Sequence, residues 1–113
     1  MINYMQIKAI HIIQKDYVNE EDFFMECEVF IGPEDEEYAY EVYDYNVISL
    51  KRLTERFNDD DVMLNRGWMI VKYYEESEIR NKINGIIRRC TAKDEEDTYR
   101  NIGSFLIRQE QEF

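Results

Sequence analysis

The residues of this sequence that could do chemistry are one histidine, two cysteines and many carboxylates. His11 would need an orienting partner for catalysis, and its strand-like run offers no Cys, His or carboxylate at the required spacing. Cys27 and Cys90 sit in apolar patterns outside any C-x-x-C pair, which favours two reduced core thiols over the alternative of a disulfide. A hydrolase can use a pair of carboxylates, but with 25 Asp and Glu residues many such pairs arise by chance, so they do not identify a hydrolase site. We therefore expect no catalytic residue and no turnover.

Metal and cofactor sites also lack their usual patterns. The run Asp59-Asp60-Asp61 could in principle hold a divalent cation, but it lacks the interleaved spacing and the distal Glu of a calcium loop. The sequence has no Gly-rich phosphate loop, no G-x-S-x-G and no Cys/His zinc pattern. Trp68 and Met69 are interpreted as core residues. We expect no metal and no cofactor, and a solvated helix end at the three aspartates.

The acidic residues are concentrated in one third of the chain. The net charge of the 113 residues is -11, and residues 16–50 hold 12 of the 25 acids without any Lys or Arg. A localised block of this kind predicts one strongly negative face, which repels nucleic acid and anionic membranes and attracts basic proteins. No apolar run reaches the roughly 18 residues of a membrane span, and the N-terminus lacks the pattern of a signal peptide. We expect a cytoplasmic protein with a single domain, 1–113.

Aromatic residues accompany the acids. Four carboxylates follow Gly32-Pro33, and Tyr38 and Tyr40 come directly after them. Tyrosine supplies a large, rigid contact area with a polar tip and is enriched at interface hot spots, although it is also a good strand residue. Both interpretations stay open for Tyr43 and Tyr45. The candidate partner-binding residues are Glu26, Glu28, Glu34, Asp35, Glu36, Glu37, Tyr38 and Tyr40.

Hydrophobic periodicity predicts the order β-β-β-α-β-α-α, an α+β fold with an antiparallel four-stranded sheet and helices packed on one face. The predicted strands are 4–13, 22–31, 38–48 and 68–74, with a polar connection at 14–21 and a bulge near Glu41. Ser49 and Ser77 are candidate N-caps of the first two helices, and Asp94 to Asp97 load acids onto the start of the third.

Alternation and helical spacing assign residues to faces. In the second strand Met25, Cys27, Val29 and Ile31 should be buried, while Glu26 and Glu28 should face solvent. The other predicted core positions are Met5, Ile7, Ala9, Tyr43, Tyr45, Val47, Leu50, Leu53, Phe57, Met69, Val71, Tyr73, Ile79, Ile83, Ile86, Ile87, Cys90, Tyr99, Ile102, Leu106 and Phe113. Gly32-Pro33 should end the second strand.

Three segments together resemble the immunity protein 8 family of bacterial polymorphic toxin systems: FFMECEVFIGP, YEVYDYNVISLKRL and RGWMIVKYYEESEIRNKINGII, followed by a C-terminal helix. The resemblance rests on the combination of Ile31-Gly32-Pro33, Tyr43-x-Tyr45-x-Val47, and the strand after Gly67 that leads to Ile79 and Ile83. It implies a protein that protects a cell from a toxin, often a nuclease, delivered by its siblings, as in contact-dependent growth inhibition. It implies no catalytic residue.

The sequence and the resemblance together suggest an immunity protein whose acidic hairpin covers the positively charged surface of a basic nuclease toxin. Its partner would be a cognate toxin domain, with no direct nucleic-acid or membrane binding. The alternative is an acidic nucleic-acid mimic that inhibits a DNA- or RNA-binding protein. A small enzyme that uses carboxylates is the least favoured hypothesis.

Overall fold

The computed structural model describes residues 4–57 and 66–110 of the chain. Their elements follow the order β1 (Met5–Asn19), β2 (Asp22–Pro33), β3 (Glu41–Ser49), α1 (Leu50–Arg56), β4 (Trp68–Val71), α2 (Glu76–Cys90), α3 (Glu95–Ile102) and β5 (Ile107–Arg108). The predicted sequence of three strands, a helix, a strand and two helices is therefore confirmed, with one short strand added at the end.

The strands form one mixed sheet in the order β1-β2-β3-β4, and β5 also pairs with β3. β1, β2 and β3 are antiparallel neighbours, but β4 runs parallel to β3, so the prediction of a purely antiparallel four-stranded sheet is wrong. The reason is the connection: a chain that passes through a helix between two strands can return in the same direction, which a tight hairpin cannot do. β5 has only two residues, too few for an alternating pattern.

The first hairpin is longer than predicted. β1 extends to Asn19, and Glu20 and Glu21 form the turn into β2, so the polar connection predicted at 14–21 is mostly strand. These residues are mostly polar because this part of β1 is exposed on both faces, and polarity indicates exposure without excluding a strand. Three register shifts interrupt the β1–β2 pairing, between Ile7 and Ala9, between Ile12 and Gln14, and between Tyr17 and Asn19.

The pairing of β2 with β3 is continuous from Phe24 opposite Ile48 to Ile31 opposite Glu41. The predicted bulge near Glu41 is therefore wrong, and the upstream tyrosines are out of phase because the strand begins only at Glu41. Gly32 and Pro33 belong to β2 and pair with β1, so the predicted end of that strand was two residues early. Pro33 is tolerated there because it is the last residue of the strand.

The main core lies between the sheet and the last two helices. β2 contributes Met25, Cys27, Val29 and Ile31, all buried as predicted, together with Phe23. The remaining members are Met5, Tyr43, Tyr45, Val47, Ile79, Ile83, Ile86, Ile87, Cys90, Tyr99, Ile102 and Leu106, with Ile7, Ile10, Met69, Val71 and Tyr74 partly buried against them. Every second residue of a strand and every third or fourth residue of a helix faces the same side, and these apolar side chains thus meet in one core layer.

The first helix departs from the prediction that all helices share one face. The Arg56 guanidinium lies 4.6 Å from the ring centre of Phe24 and 5.4 Å from that of Trp68, and both rings point away from α2 and α3. Leu50 and Phe57, predicted on its apolar stripe, are exposed, and only Leu53 of that stripe is buried.

Other predicted core positions also differ. Tyr73, predicted to face the core, is exposed because β4 ends at Val71. Phe113 and the Asp59–Asp61 run lie outside the described residues.

Arg108 joins the C-terminal strand to the rest of the fold. Its guanidinium pairs with the Glu96 carboxylate through contacts of 2.7 and 3.2 Å and with Glu41 at 3.2 Å. The hydrogen bonds from Arg108 hold the pKa of the Glu96 carboxyl below its ordinary value. Nearby, the buried Tyr43 hydroxyl donates to the Tyr99 carbonyl at 2.8 Å. These contacts connect β3, α3 and β5.

The predicted caps had different outcomes. The Ser49 hydroxyl is fully buried and accepts hydrogen bonds from the Arg52 amide, which caps α1, and from the Phe23 amide, each at 3.2 Å. Asp94 caps α3 by accepting from the amides of Glu96 and Asp97. Ser77, however, lies within the first turn of α2, whose N-cap position is Glu75 and carries no side-chain cap bond.

We expect Ser49→Ala to lower the free energy of unfolding by about 1–3 kcal/mol, because it removes a helix cap and leaves the buried Phe23 amide without its acceptor. Ser77→Ala is the matched control. Its exposed hydroxyl caps no helix, and Ala is the better helix former, so stability should change by at most about 0.5 kcal/mol. Urea unfolding followed by circular dichroism measures both. Equal losses would contradict the different roles assigned to the two serines.

Candidate binding surface

The outer face is the side of the sheet that points away from α2 and α3. On β2 it carries Phe24, Glu26, Glu28 and Phe30, because the buried residues alternate with them. Glu26 is exposed as predicted. Glu28 also lies on this face but is only partly accessible, with 20% of its side chain exposed. The two sequence-predicted acids of β2 therefore share one surface, and neither is buried in the core.

Two carboxylates stand directly opposite each other at the centre of the outer face. Glu28 of β2 pairs in register with Asp44 of β3. Like charges directly opposite on a sheet destabilise it, so these groups need compensation. The Gln109 side-chain amide supplies it by donating to Glu28 at 3.0 Å and to Asp44 at 2.7 Å. His11 Nδ1 lies 3.3 Å from the other Glu28 oxygen. An amide bridge of this kind leaves the negative charge of the pair in place.

Aromatic rings continue the outer face toward the loop that joins β2 to β3. The Phe30 ring centre lies 4.9 Å from His11 and 5.0 Å from Tyr40, both in tilted arrangements. Separations of this size are those of favourable aromatic pairs. Tyr40, a sequence-predicted site residue, is thus placed on the sheet by packing against Phe30, and it remains 43% exposed.

The path of the loop, residues 34–40, depends on Gly32. A Cβ atom at Gly32 would lie 1.9 Å from the Ala39 carbonyl oxygen and 3.1 Å from the Tyr40 Cα, so the returning chain crosses directly over this residue. The loop backbone is also tied down at its start, where the Glu34 amide donates to the Tyr4 carbonyl at 3.0 Å. The Lys8 ammonium donates to the Glu36 carbonyl at 3.0 Å. The loop is therefore held by its backbone.

The loop side chains point into solvent. Glu34, Asp35, Glu36 and Glu37 are all exposed, and in residues 4–57 and 66–110 no ion pair involves any of the four or Glu26. Tyr38 is 86% exposed. Backbone contacts hold the loop, and the Lys8 ammonium beside it contacts a carbonyl and not a carboxylate. The loop therefore presents a fixed cluster of negative charge that Lys8 offsets only in part.

Tertiary structure groups the predicted residues into two adjoining parts. The acids of the loop and Tyr38 form the end of the hairpin, and Glu26, Glu28 and Tyr40 lie on the outer face beside it. The binding residues predicted from the sequence leave out four further members of the face, which are His11, Phe30, Asp44 and Gln109. Phe30 and Asp44 could have been found, because each alternates with residues predicted to be buried. Gln109 carried no signal, since it follows a strand too short to predict.

The two cysteines lie in the core and not on this surface. Cys27 and Cys90 are free and buried, which overrules the disulfide alternative. Burial raises the pKa of the Cys27 thiol to about 11, against a smaller lowering by its hydrogen bond to Tyr45, and burial also raises that of Cys90. Both are therefore protonated at neutral pH.

The described residues contain no group of three or more His, Cys, Asp or Glu placed to hold a metal ion. Within the same residues, no helix has the length and apolar character needed to cross a membrane.

We expect Gly32→Ala to destabilise the fold by about 1–3 kcal/mol, because the added methyl group meets the backbone of the crossing loop and forces it to move. Gly85→Ala is the matched control: the nearest atom lies 3.9 Å away in the middle of α2, so the helix should gain roughly 0.5–1 kcal/mol. Thermal melts give the two stabilities, and amide chemical shifts of residues 34–40 should change only in Gly32→Ala. Unchanged loop shifts in that variant would contradict the close crossing.

Comparison with known proteins gives one match. The sequence model of a family described as Immunity protein 8 matches residues 5–109, which span β1 to β5 and hence the whole described sheet. No curated protein and no solved structure matches the chain. Because the family match covers nearly the entire sequence, from the first strand to the residue that bridges Glu28 and Asp44, the chain belongs to the Immunity protein 8 family.

Proposed function

We propose that this immunity protein neutralises a basic nuclease toxin by covering the toxin's phosphate-binding surface with the outer face and the acidic loop. Family membership indicates a protein that acts against a toxin. The observation that carries the choice of toxin is the cluster of exposed carboxylates at Glu26 and Glu34 to Glu37. A nuclease must be positively charged where it holds phosphate, and such a surface is the natural complement of this cluster.

The two parts of the surface have different roles in this proposal. The loop acids act over distance: they raise the rate of encounter with a basic partner and make that rate depend on salt. The aromatic residues act after contact, because Tyr40 and Phe30 offer apolar area beside the carboxylates and are already ordered by packing. Water is excluded around the charge pairs once the rings are covered, which slows dissociation.

The outer-face acids support the same division. The bridge through Gln109 fixes the Glu28 and Asp44 carboxylates without neutralising them. A Lys or Arg of the toxin that reaches this point would meet two negative charges in a fixed arrangement, and charge-assisted hydrogen bonds to them are stronger than those between neutral groups. We expect binding to act by occlusion alone, in the cytoplasm, with no turnover by the immunity protein itself.

A nucleic-acid mimic is the alternative function. A mimic would present acids spaced as phosphates are along a strand. Here Phe30 and Tyr40 interrupt the acids, and apolar contact area of this kind favours a protein interface with its own shape over a general phosphate replacement. A mimic should bind unrelated DNA-binding proteins, whereas the proposed immunity protein should bind only the toxin domain encoded beside it.

Reversal of charge in the loop should slow association with that toxin domain. We expect Glu34→Lys/Glu37→Lys to lower the association rate constant by about ten-fold at low salt and to weaken its dependence on ionic strength, because the steering charge is lost. The control Glu75→Lys/Glu76→Lys changes the net charge equally at exposed positions at the start of α2, on the opposite side of the sheet from the outer face. Stopped-flow binding at two salt concentrations compares them. If the control slows association as much as the loop variant, the effect is one of net charge and the loop does not face the toxin.

The aromatic residues should instead govern dissociation. We expect Tyr40→Ala to weaken binding by about 1–3 kcal/mol, mainly through a faster dissociation rate, because it removes an ordered ring from the interface. Tyr38→Ala tests the more exposed ring in the same way. Tyr40→Phe keeps the packing on Phe30 and separates the contribution of the hydroxyl. An unchanged dissociation rate in Tyr40→Ala, in a variant whose thermal melt is intact, would place the contact elsewhere.

A further inference from the structure

β1 and β4 are the outer strands of the four-strand order of the sheet, and they differ in how well they are protected from pairing with another chain. β1 forms one edge, and its pairing with β2 is interrupted by three register shifts. Lys8 and Lys15 also lie along it. Bulges and lysines are the devices by which natural sheets keep an edge strand from pairing with another chain. The β1 edge is therefore protected, although Ile13 on it is 60% exposed.

The β4 edge lacks these devices. Its sequence, Trp-Met-Ile-Val, contains no charged residue, and its pairing with β3 runs without a shift from Trp68 to Val71. Among the described residues β4 pairs only with β3, and no strand of residues 4–57 or 66–110 pairs with the amides and carbonyls on its other side. Ile70 is 55% exposed there. An apolar, regular edge with an exposed β-branched residue is a template for one more strand.

A groove beside β4 provides room for the side chains of that strand. It has a volume of about 350 Å³ and lies between β4 and the first half of α2. The residues that line it are Trp68, Met69, Ile70, Val71, Glu78, Ile79 and Lys82. Side chains of an added strand would alternate, one set contacting Met69 and Val71 on the side of the groove toward α2 and the other covering Ile70 on its outer side.

We propose that the occupant is a second copy of this chain, which pairs β4 with β4 in antiparallel orientation around a twofold axis. The local charge permits such a contact in an acidic protein. Residues 66–74 carry Arg66 and Lys72 and no acid, so no carboxylates of this segment oppose each other when two chains meet here. Residues 5–15 of β1 also lack acids, but the register shifts of that strand disfavour pairing there. The rim of the groove holds one acid and one base, Glu78 and Lys82. In an isologous dimer the two grooves face each other, so Glu78 of one copy can pair with Lys82 of the other and the reverse.

The register of this pairing follows from the alternation of faces. Ile70 falls opposite its own copy on the outer face, and Met69 falls opposite Val71 on the helical face, so apolar residues meet apolar residues on both sides. Lys72 falls opposite Trp68, whose ring suits a cation, and no two like charges stand directly opposite. The interface uses neither the outer-face acids nor residues 34–40. It therefore stands independently of the proposed toxin binding.

Sedimentation velocity of the full chain, from micromolar to near-millimolar concentration, tests the proposal. The wild-type protein should show a reversible monomer–dimer equilibrium. Ile70→Lys should raise the dimer dissociation constant by about ten-fold or more, because it places two lysines against each other on the twofold axis. Ile13→Lys, the matched control on the other edge, should leave the equilibrium unchanged. Both positions are exposed, so thermal melts should confirm that both variants fold.

A charge swap then tests the groove. Glu78→Lys alone and Lys82→Glu alone should each weaken the dimer, and the double variant Glu78→Lys/Lys82→Glu should restore it, since the pairing of opposite charges returns. A wild-type protein that stays monomeric over the whole concentration range overturns the proposal. It is equally overturned by a dimer that Ile13→Lys abolishes and Ile70→Lys does not, which would place the contact on β1.

Discussion

The uninterrupted register between β2 and β3 is the constraint on which the rest of this structure depends. Side chains on a strand alternate between faces, so a shift of one residue would exchange the two sets. The register that places Met25, Cys27, Val29 and Ile31 against α2 and α3 therefore also places Glu26 and Glu28 on the outer face. Burial of the apolar set stabilises the arrangement, and the position of the acids on the outer face follows from the same register.

The outer face shows how a fold can carry negative charge close together. Glu28 and Asp44 are direct neighbours across two strands, and a Lys or Arg between them would remove the repulsion most simply. The chain uses the Gln109 amide instead, which satisfies both carboxylates as a donor while their charges remain. Residues 34–37 are arranged on the same principle, because the loop is held by Gly32 and backbone hydrogen bonds and not by ion pairs of its side chains. Because these carboxylates are not neutralised by ion pairs, their negative electrostatic field can act on a partner.

Different parts of the sheet can thus support different interactions. The negative surface lies on β2, β3 and the loop between them, whereas the apolar β4 edge lies beside α2 and near Arg66 and Lys72. A toxin on the first and a second copy on the other would not compete for the same residues. The separation arises because β4 pairs with residues 46–49 of β3, whereas the acidic loop joins the other end of that strand at Glu41.

Local pattern by itself determined the type and order of the principal elements and the buried set of β2. It also determined the stripe Ile79–Ile83–Ile86–Ile87–Cys90 of α2, the cap at Ser49 and the acids at the start of α3. In these segments alternation, helical spacing and capping chemistry act within a few residues and agree with the final packing. The acidic loop was also visible as a run of residues. Its charge needed no structure to be recognised, although its role in binding stays a proposal.

Tertiary structure alone decided the features that join distant parts of the chain. The direction of β4, the existence of β5, the extension of β1 to Asn19 and the place of α1 near Phe24 and Trp68 depend on which strands find each other and which faces remain to be covered. The same holds for the candidate surface, where Gln109 reaches Glu28 across 81 positions of sequence and the loop crosses Gly32. Such contacts leave no periodic signal, because their energy comes from packing between segments and not from the order of residues within one.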